Sequence, residues 1–125
     1  PEDIRLMKEL GVNAYRFSVE WSKIEPKQGE FNQNAIAHYA MVIDTLISHG
    51  IIPMITLHHF TNPIWFEELG AFEHQENIQY FVRFSKKVFE EYSDRVPYWC
   101  TINEPAVYTV QGYFTGIFPP EKRPR

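Results

Sequence analysis

Ile51-Ile52-Pro53-Met54-Ile55-Thr56-Leu57-His58-His59-Phe60 is the run that decides the fold. It is apolar with almost no polar alternation until two histidines end it. A strand with one wet face alternates apolar and polar residues. A strand covered on both faces reads as a continuous apolar run, and parallel strands under helices are its usual source. The run predicts a strand over Ile51–His58, with Pro53 near the start, where a missing N–H is tolerated. Working outward, residues 33–49 carry Ile36, Tyr39, Ala40, Ile43, Leu46 and Ile47 at spacings of three and four. That is one helical stripe. Asn32 is the expected N-cap and Gly50 the expected stop. On the other side, Ile78, Phe81, Val82, Val88, Phe89 and Tyr92 predict a helix over Glu76–Tyr92. Further out lie strands predicted at Ala14–Ser18 and Pro97–Asn103, and a helix at Glu2–Leu10 that Gly11 closes.

Helix and strand therefore alternate, which implies an α/β fold with a parallel sheet. Two architectures compete, a (β/α)8 barrel and an open doubly wound sheet. The open sheet favours a glycine-rich phosphate loop after a strand, and none of the three predicted strand ends carries one. They carry polar groups instead. Arg16 lies near the end of the first strand, His58 and His59 end the second, and Asn103 and Glu104 end the third. Arg16 to His59 is 43 residues and His59 to Asn103 is 44. In a barrel, such recurrence gathers the groups on the C-terminal face, where active sites of that fold lie. Arg16 and Glu104 are expected to be partly buried there, and a buried ion needs a partner. A purely structural Glu104–Arg16 pair is the alternative reading.

Composition narrows the function. The chain is 44% hydrophobic and 16% aromatic, which forms a core and excludes a disordered tail. Its formal charge is −4 and no Lys/Arg run exceeds two residues, so no basic stripe suits nucleic acid. The tail Lys122-Arg123-Pro124-Arg125 reads as a solvated loop. Cys100 is the single cysteine, which rules out an internal disulfide and a Cys-rich metal site and fits a reducing, cytoplasmic setting. No apolar run is long enough to span a membrane. No secretory signal is recognised at the N-terminus. The chain opens on Pro1 without Met and is expected to continue at both ends. Adjacent strand residues point to opposite faces, so His58-His59 supplies one ligand rather than two, and no metal or cofactor is expected. His58 is expected in the core or a loop; His59 is the candidate for function.

Three segments carry a resemblance. Tyr15-Arg16-Phe17-Ser18-Val19-Glu20-Trp21-Ser22-Lys23-Ile24, Thr56-Leu57-His58-His59-Phe60 and Trp99-Cys100-Thr101-Ile102-Asn103-Glu104-Pro105 resemble, in order, the strand 2, 3 and 4 segments of family 1 glycoside hydrolases. Gly112-Tyr113 and Gly116 fall where that family has a Gly-Tyr…Gly segment. The resemblance implies a (β/α)8 TIM barrel, with residues 1–125 an incomplete, internal part of the barrel domain. It implies a β-glucosidase-like enzyme that cleaves small β-linked glycosides with retention of configuration. By the same resemblance Glu104 is the general acid/base, Asn103 bonds the sugar 2-hydroxyl, and His59 bonds another glycone hydroxyl. Phe60 takes the place of an aromatic beside the glycone, and Arg16 supports a nucleophilic glutamate expected beyond Arg125. A sugar-binding Gln is expected before Pro1.

The residue types suit that chemistry. A glycosidic oxygen leaves poorly until protonated, so a carboxylic acid must keep its proton until it is needed. Glu104, between an apolar strand and Pro105, is expected to be partly desolvated, which favours the protonated form. Pro105 is expected to bias Glu104 towards extended backbone. The Asn103 amide can donate and accept, as a sugar hydroxyl requires. Two departures bear on the aglycone side: Thr61-Asn62 stands where many members have Asp-Leu, and Ala106 where some have Trp. Trp21, Trp65, Phe66 and Phe72 are expected to pack, and Glu67, Glu68, Glu90 and Glu91 to be solvated. A catalytically silent sugar-binding relative remains an alternative, as does another barrel glycosidase family that shares Asn-Glu-Pro.

Overall fold

A computed structural model describes residues 2–123. Three strands form one parallel sheet: β1 (Ala14–Ser18), β2 (Ile52–His58) and β3 (Tyr98–Ile102). Their order in the sheet is their order in the chain, and both pairings are parallel. The helices are α1 (Glu2–Glu9), α2 (Trp21–Ile24), α3 (Gln33–Ser48), α4 (Ile64–Glu68), α5 (Ile78–Tyr92) and α6 (Pro105–Thr109). A π-helical turn, Val110–Phe114, continues α6. Each predicted strand and long helix is present: β1 has the expected ends, and the ends of the others move by two residues at most. The largest shift is at α5, where residues 75–77 form a separate 3-10 turn before the helix begins at Ile78.

The boundaries have local causes. The Asn32 side chain accepts from the N–H groups of Asn34 and Ala35, so two amides left over at the start of α3 are satisfied. Gly50, at φ 70°, turns the chain out of α3 and into β2. Gly11, at φ 80°, does the same between α1 and β1.

The core lies between the sheet and the helices. Ile55 and Leu57 of β2 pack with Ile36 and Ile43 of α3 and with Phe84, Val88 and Tyr92 of α5. Trp21 sits at the centre of the aromatic part. Its ring stacks on Phe84 at 5.1 Å and lies 4.6 Å from Phe66 and 5.7 Å from Trp65. Burying an aromatic or large aliphatic side chain stabilises by about 1.5–3 kcal/mol, so this cluster dominates the local packing. The expected packing roles of Trp21, Trp65, Phe66 and Phe72 agree with these contacts.

One buried charge was not foreseen. Glu25 is fully buried. Its carboxylate accepts from Trp21 Nε1 at 2.9 Å and from the Gly29 N–H at 2.8 Å, and it pairs with Arg83 of α5. Its carbonyl accepts from Trp65 Nε1 at 2.9 Å. A buried carboxylate is tolerated when its oxygens are bonded in this way. The basic tail also differs from expectation. Lys122 pairs with Glu73 rather than standing free in water, while Pro124 and Arg125 lie outside the described residues.

Candidate active site

Alternation along the strands divides the sheet into two faces. Ile55 and Leu57 face the helices. By register and alternation, Arg16 and Ser18 of β1, Met54 and Thr56 of β2, and Tyr98 and Cys100 of β3 share the other face. Arg16 lies towards Cys100 Sγ across this face, at 4.0 Å. Arg16 also lines a hollow of about 370 Å³ with Tyr15, Phe17, Ser18, Thr56 and His59. This hollow brings Arg16 and His59 together. The expected burial of Arg16 is not met, because its side chain is exposed. It sits on β1, an edge strand of the sheet, and among the described residues no strand pairs with its outer flank.

At the C-terminal end of the sheet the two histidines part. His58 is buried against Phe72, Phe81 and Tyr108, with ring centroids 5.4, 6.0 and 5.0 Å away. Its Nε2 is 2.8 Å from Asn62 Oδ1, which makes Nε2 the protonated nitrogen. Nδ1 is buried without a partner among the described residues. Burial lowers the His58 pKa from 6.5, opposed by the Asn62 bond and the Glu20 carboxylate. His58 is thus a neutral core histidine. His59 is exposed, and its Nε2 is 3.3 Å from the Asn103 side-chain amide. The main chain joins the same two strand ends, since the Asn103 N–H donates to the His58 carbonyl at 2.8 Å.

Phe60 follows at φ 73°, an uncommon conformation for a side chain of its size. Its ring is nearly parallel to Tyr108, 6° off at 5.9 Å, and stacks on Phe118 at 5.6 Å. Its left-handed backbone is thus accompanied by aromatic contacts on α6 and the segment beyond.

Glu104 departs from expectation in two ways. Its backbone is left-handed, φ 40° and ψ 63°, where Pro105 was expected to favour extended geometry. The reason lies in its neighbours. Asn103 still pairs with the end of β2, and Pro105 is already the first residue of α6. The chain must turn from strand to helix within one residue, and positive φ achieves that. Such a conformation costs about 1–3 kcal/mol and persists only where the surroundings hold it. Here the Glu104 carbonyl accepts from the Tyr108 N–H at 3.0 Å. Secondly, the side chain is exposed rather than partly desolvated. Among the described residues its carboxylate has no hydrogen-bond or ion-pair partner, so the alternative of a Glu104–Arg16 structural pair is not realised.

Behind this turn lies a polar cluster that sequence reasoning missed. Asn62 Nδ2 donates to Glu67 at 2.6 Å and to the Tyr108 hydroxyl at 3.0 Å. Tyr108 and Tyr113 hydroxyls are 3.2 Å apart. Burial raises the pKa of both tyrosines. Glu67, expected to be solvated, is half-buried in this cluster. An apolar cavity of about 300 Å³, lined by His58, Phe72, Ile102, Pro105 and Tyr108 among others, adjoins it on the helix side, away from the Arg16–His59 hollow. Among the described residues no group of His, Cys, Asp and Glu could hold a metal ion.

Comparison with known proteins places this geometry. The sequence model of Glycosyl hydrolase family 1 matches residues 1–125. Beta-glucosidase 11 of Arabidopsis thaliana is 43% identical over 123 residues, 97% of this chain and 24% of the relative. A β-glycosidase from Pyrococcus horikoshii is 45% identical with a TM-score of 0.93, over 98% of this chain and 29% of that one. The β-glucosidase of Thermotoga maritima in complex with castanospermine is 38% identical with a TM-score of 0.96, over 98% of this chain and 28% of that one. This chain therefore spans about a quarter of the length of such relatives. Its three parallel strands and flanking helices match part of the family's TIM barrel, and the chain belongs to glycosyl hydrolase family 1.

Proposed function

We propose that these residues form part of the catalytic barrel domain of a retaining β-glycosidase acting on small β-glucosides or related glycosides. Glu104 is its general acid/base. The observation that carries this reading is the Glu104 turn: a carboxylate on a strained left-handed backbone, next to Asn103, whose amide meets His59. Strain of this kind clusters at functional sites. Asn103 bonds the sugar 2-hydroxyl, His59 bonds a further glycone hydroxyl, and the Phe60 ring walls the glycone. Glu104 protonates the glycosidic oxygen as the bond breaks, then takes a proton from water in the second half-reaction. The nucleophile is a second carboxylate about 5 Å away, supplied from outside these 125 residues. Arg16 supports that carboxylate, and among the described residues its guanidinium has no carboxylate partner, lying 4.0 Å from Cys100 Sγ.

Glu104→Gln in the complete barrel tests the assignment. It should slow alkyl β-glucosides by about 10²–10⁴. Dinitrophenyl β-glucoside, whose leaving group needs no proton, should lose little in its glycosylation step. Equal losses on both substrates, or no loss on either, would contradict the role. A catalytically silent sugar-binding relative would turn over neither substrate even before mutation.

A further inference from the structure

We propose that Asn62, acting through Tyr108, is a positioning residue for Glu104. The inference rests on the reading of Glu104 as the acid/base and extends it to residues that touch no substrate.

Asn62 uses its whole amide. Its carbonyl accepts from His58 Nε2 at 2.8 Å, at the end of β2. Its two N–H bonds go to Glu67 of α4 at 2.6 Å and to the Tyr108 hydroxyl of α6 at 3.0 Å. One side chain therefore ties the end of β2 to the helix that follows β3. Tyr108 is buried, and it also carries the stack with Phe60 and the main-chain bond to the Glu104 carbonyl. The left-handed turn at Glu104 is thus closed by Tyr108 N–H, and the place of Tyr108 is set by Asn62 and Phe60. Thr61, one residue earlier, anchors the same loop on its other side. Its hydroxyl lies 2.9 and 3.1 Å from the two oxygens of Glu20, the residue that caps α2. Neighbouring side chains of one loop thus reach the βα units on either side.

A general acid must lie within hydrogen-bond reach of the oxygen it protonates, and a displacement of about 1 Å can cost about a hundredfold in rate. A leucine at position 62 would keep the volume and remove all three bonds. Tyr108→Phe would remove only the hydroxyl and leave the Phe60 stack in place.

The test uses the complete barrel carrying this segment and measures kcat and KM on an alkyl β-glucoside and on dinitrophenyl β-glucoside. Glu104→Gln is run beside the other variants. Asn62→Leu should lose about tenfold to a hundredfold in kcat/KM on the alkyl substrate. On the dinitrophenyl substrate kcat/KM should change little, while its kcat falls because Glu104 is also the base of the second half-reaction. Tyr108→Phe should show the same selectivity to a smaller extent, and it decides the matter if Asn62→Leu does not fold. Equal losses in kcat/KM on both substrates would mark Asn62 and Tyr108 as merely structural and overturn the proposal, as would no loss. If Glu104→Gln itself shows no selectivity, the acid/base reading fails and takes this inference with it. Selectivity in Glu104→Gln alone overturns only the role of Asn62.

Discussion

The two faces of the sheet are built on opposite terms. On the helix side, Ile55 and Phe84 have no exposed surface and Trp21 is 1% exposed. On the other side, Ile52 is 44% and Tyr98 57% exposed, and the one polar contact of the Arg16 side chain among the described residues is to Cys100 Sγ. The first face is finished by residues of this chain; the second is buried at Thr56 but half-open or open at its other residues. The groups proposed for chemistry stand at the strand ends, and they are braced from the finished side, by Tyr108, Asn62 and the aromatic cluster. Shape at these strand ends is set by packing behind the sheet, and residues of this chain leave much of the other face open.

The largest expected effect comes from testing the 125 residues alone. Both edge strands would offer unpaired backbone groups, and the open face would expose apolar side chains. No turnover of nitrophenyl β-glucoside or β-galactoside is expected, with aggregation or strong binding of a hydrophobic dye. A soluble monomer that releases nitrophenol would show that the open face needs no cover.

In the complete barrel, Phe84→Ala should cost about 3–5 kcal/mol of unfolding free energy, measured by denaturant titration. Tyr98→Ala sharpens the comparison. If other strands cover the open face, it should cost about 2 kcal/mol or more. A cost within about 0.5 kcal/mol, the usual value for a surface site, would mean that this face stays wet even there.

Glu25 and Lys122 allow a similar contrast between ion pairs. Glu25→Leu removes a buried carboxylate and leaves Trp21 Nε1 and the Gly29 N–H without their acceptor, at an expected cost of about 1–3 kcal/mol for each donor left unpaired. Lys122→Met breaks an exposed pair with Glu73 and should cost about 1 kcal/mol or less. Equal losses would mean that burial is not what separates them.

The smallest effect concerns pH. Burial lowers the His58 pKa from 6.5. Below pH 6.5 the unfolded chain therefore takes up a proton that the folded chain refuses. Stability is full above 6.5, falls as pH drops through it, and levels off below the folded value. His58→Gln keeps a donor near Asn62 but cannot titrate. Its melting temperature should fall less steeply on acidification than that of the parent, and identical slopes would remove His58 from the account.

Much of this was legible in the sequence because the signals are local. The apolar run at 51–57, the stripe from Ile36 to Ile47, and the stops at Gly11 and Gly50 need only neighbours within a few residues, so strands and helices fell close to their predicted places. The three strand-end motifs carried the family for the same reason. What tertiary structure alone decided involves partners far apart in the chain. Glu25 meets Arg83 across 58 residues and Asn62 meets Tyr108 across 46, and no periodicity announces either pairing. Glu104 is the clearest case. Local chemistry favoured extended backbone before Pro105, but the pairing of Asn103 with β2 and the start of α6 at Pro105 left one residue in which to turn. Long-range contacts outweighed a local steric preference, because several bonds held on either side can sustain strain confined to one residue.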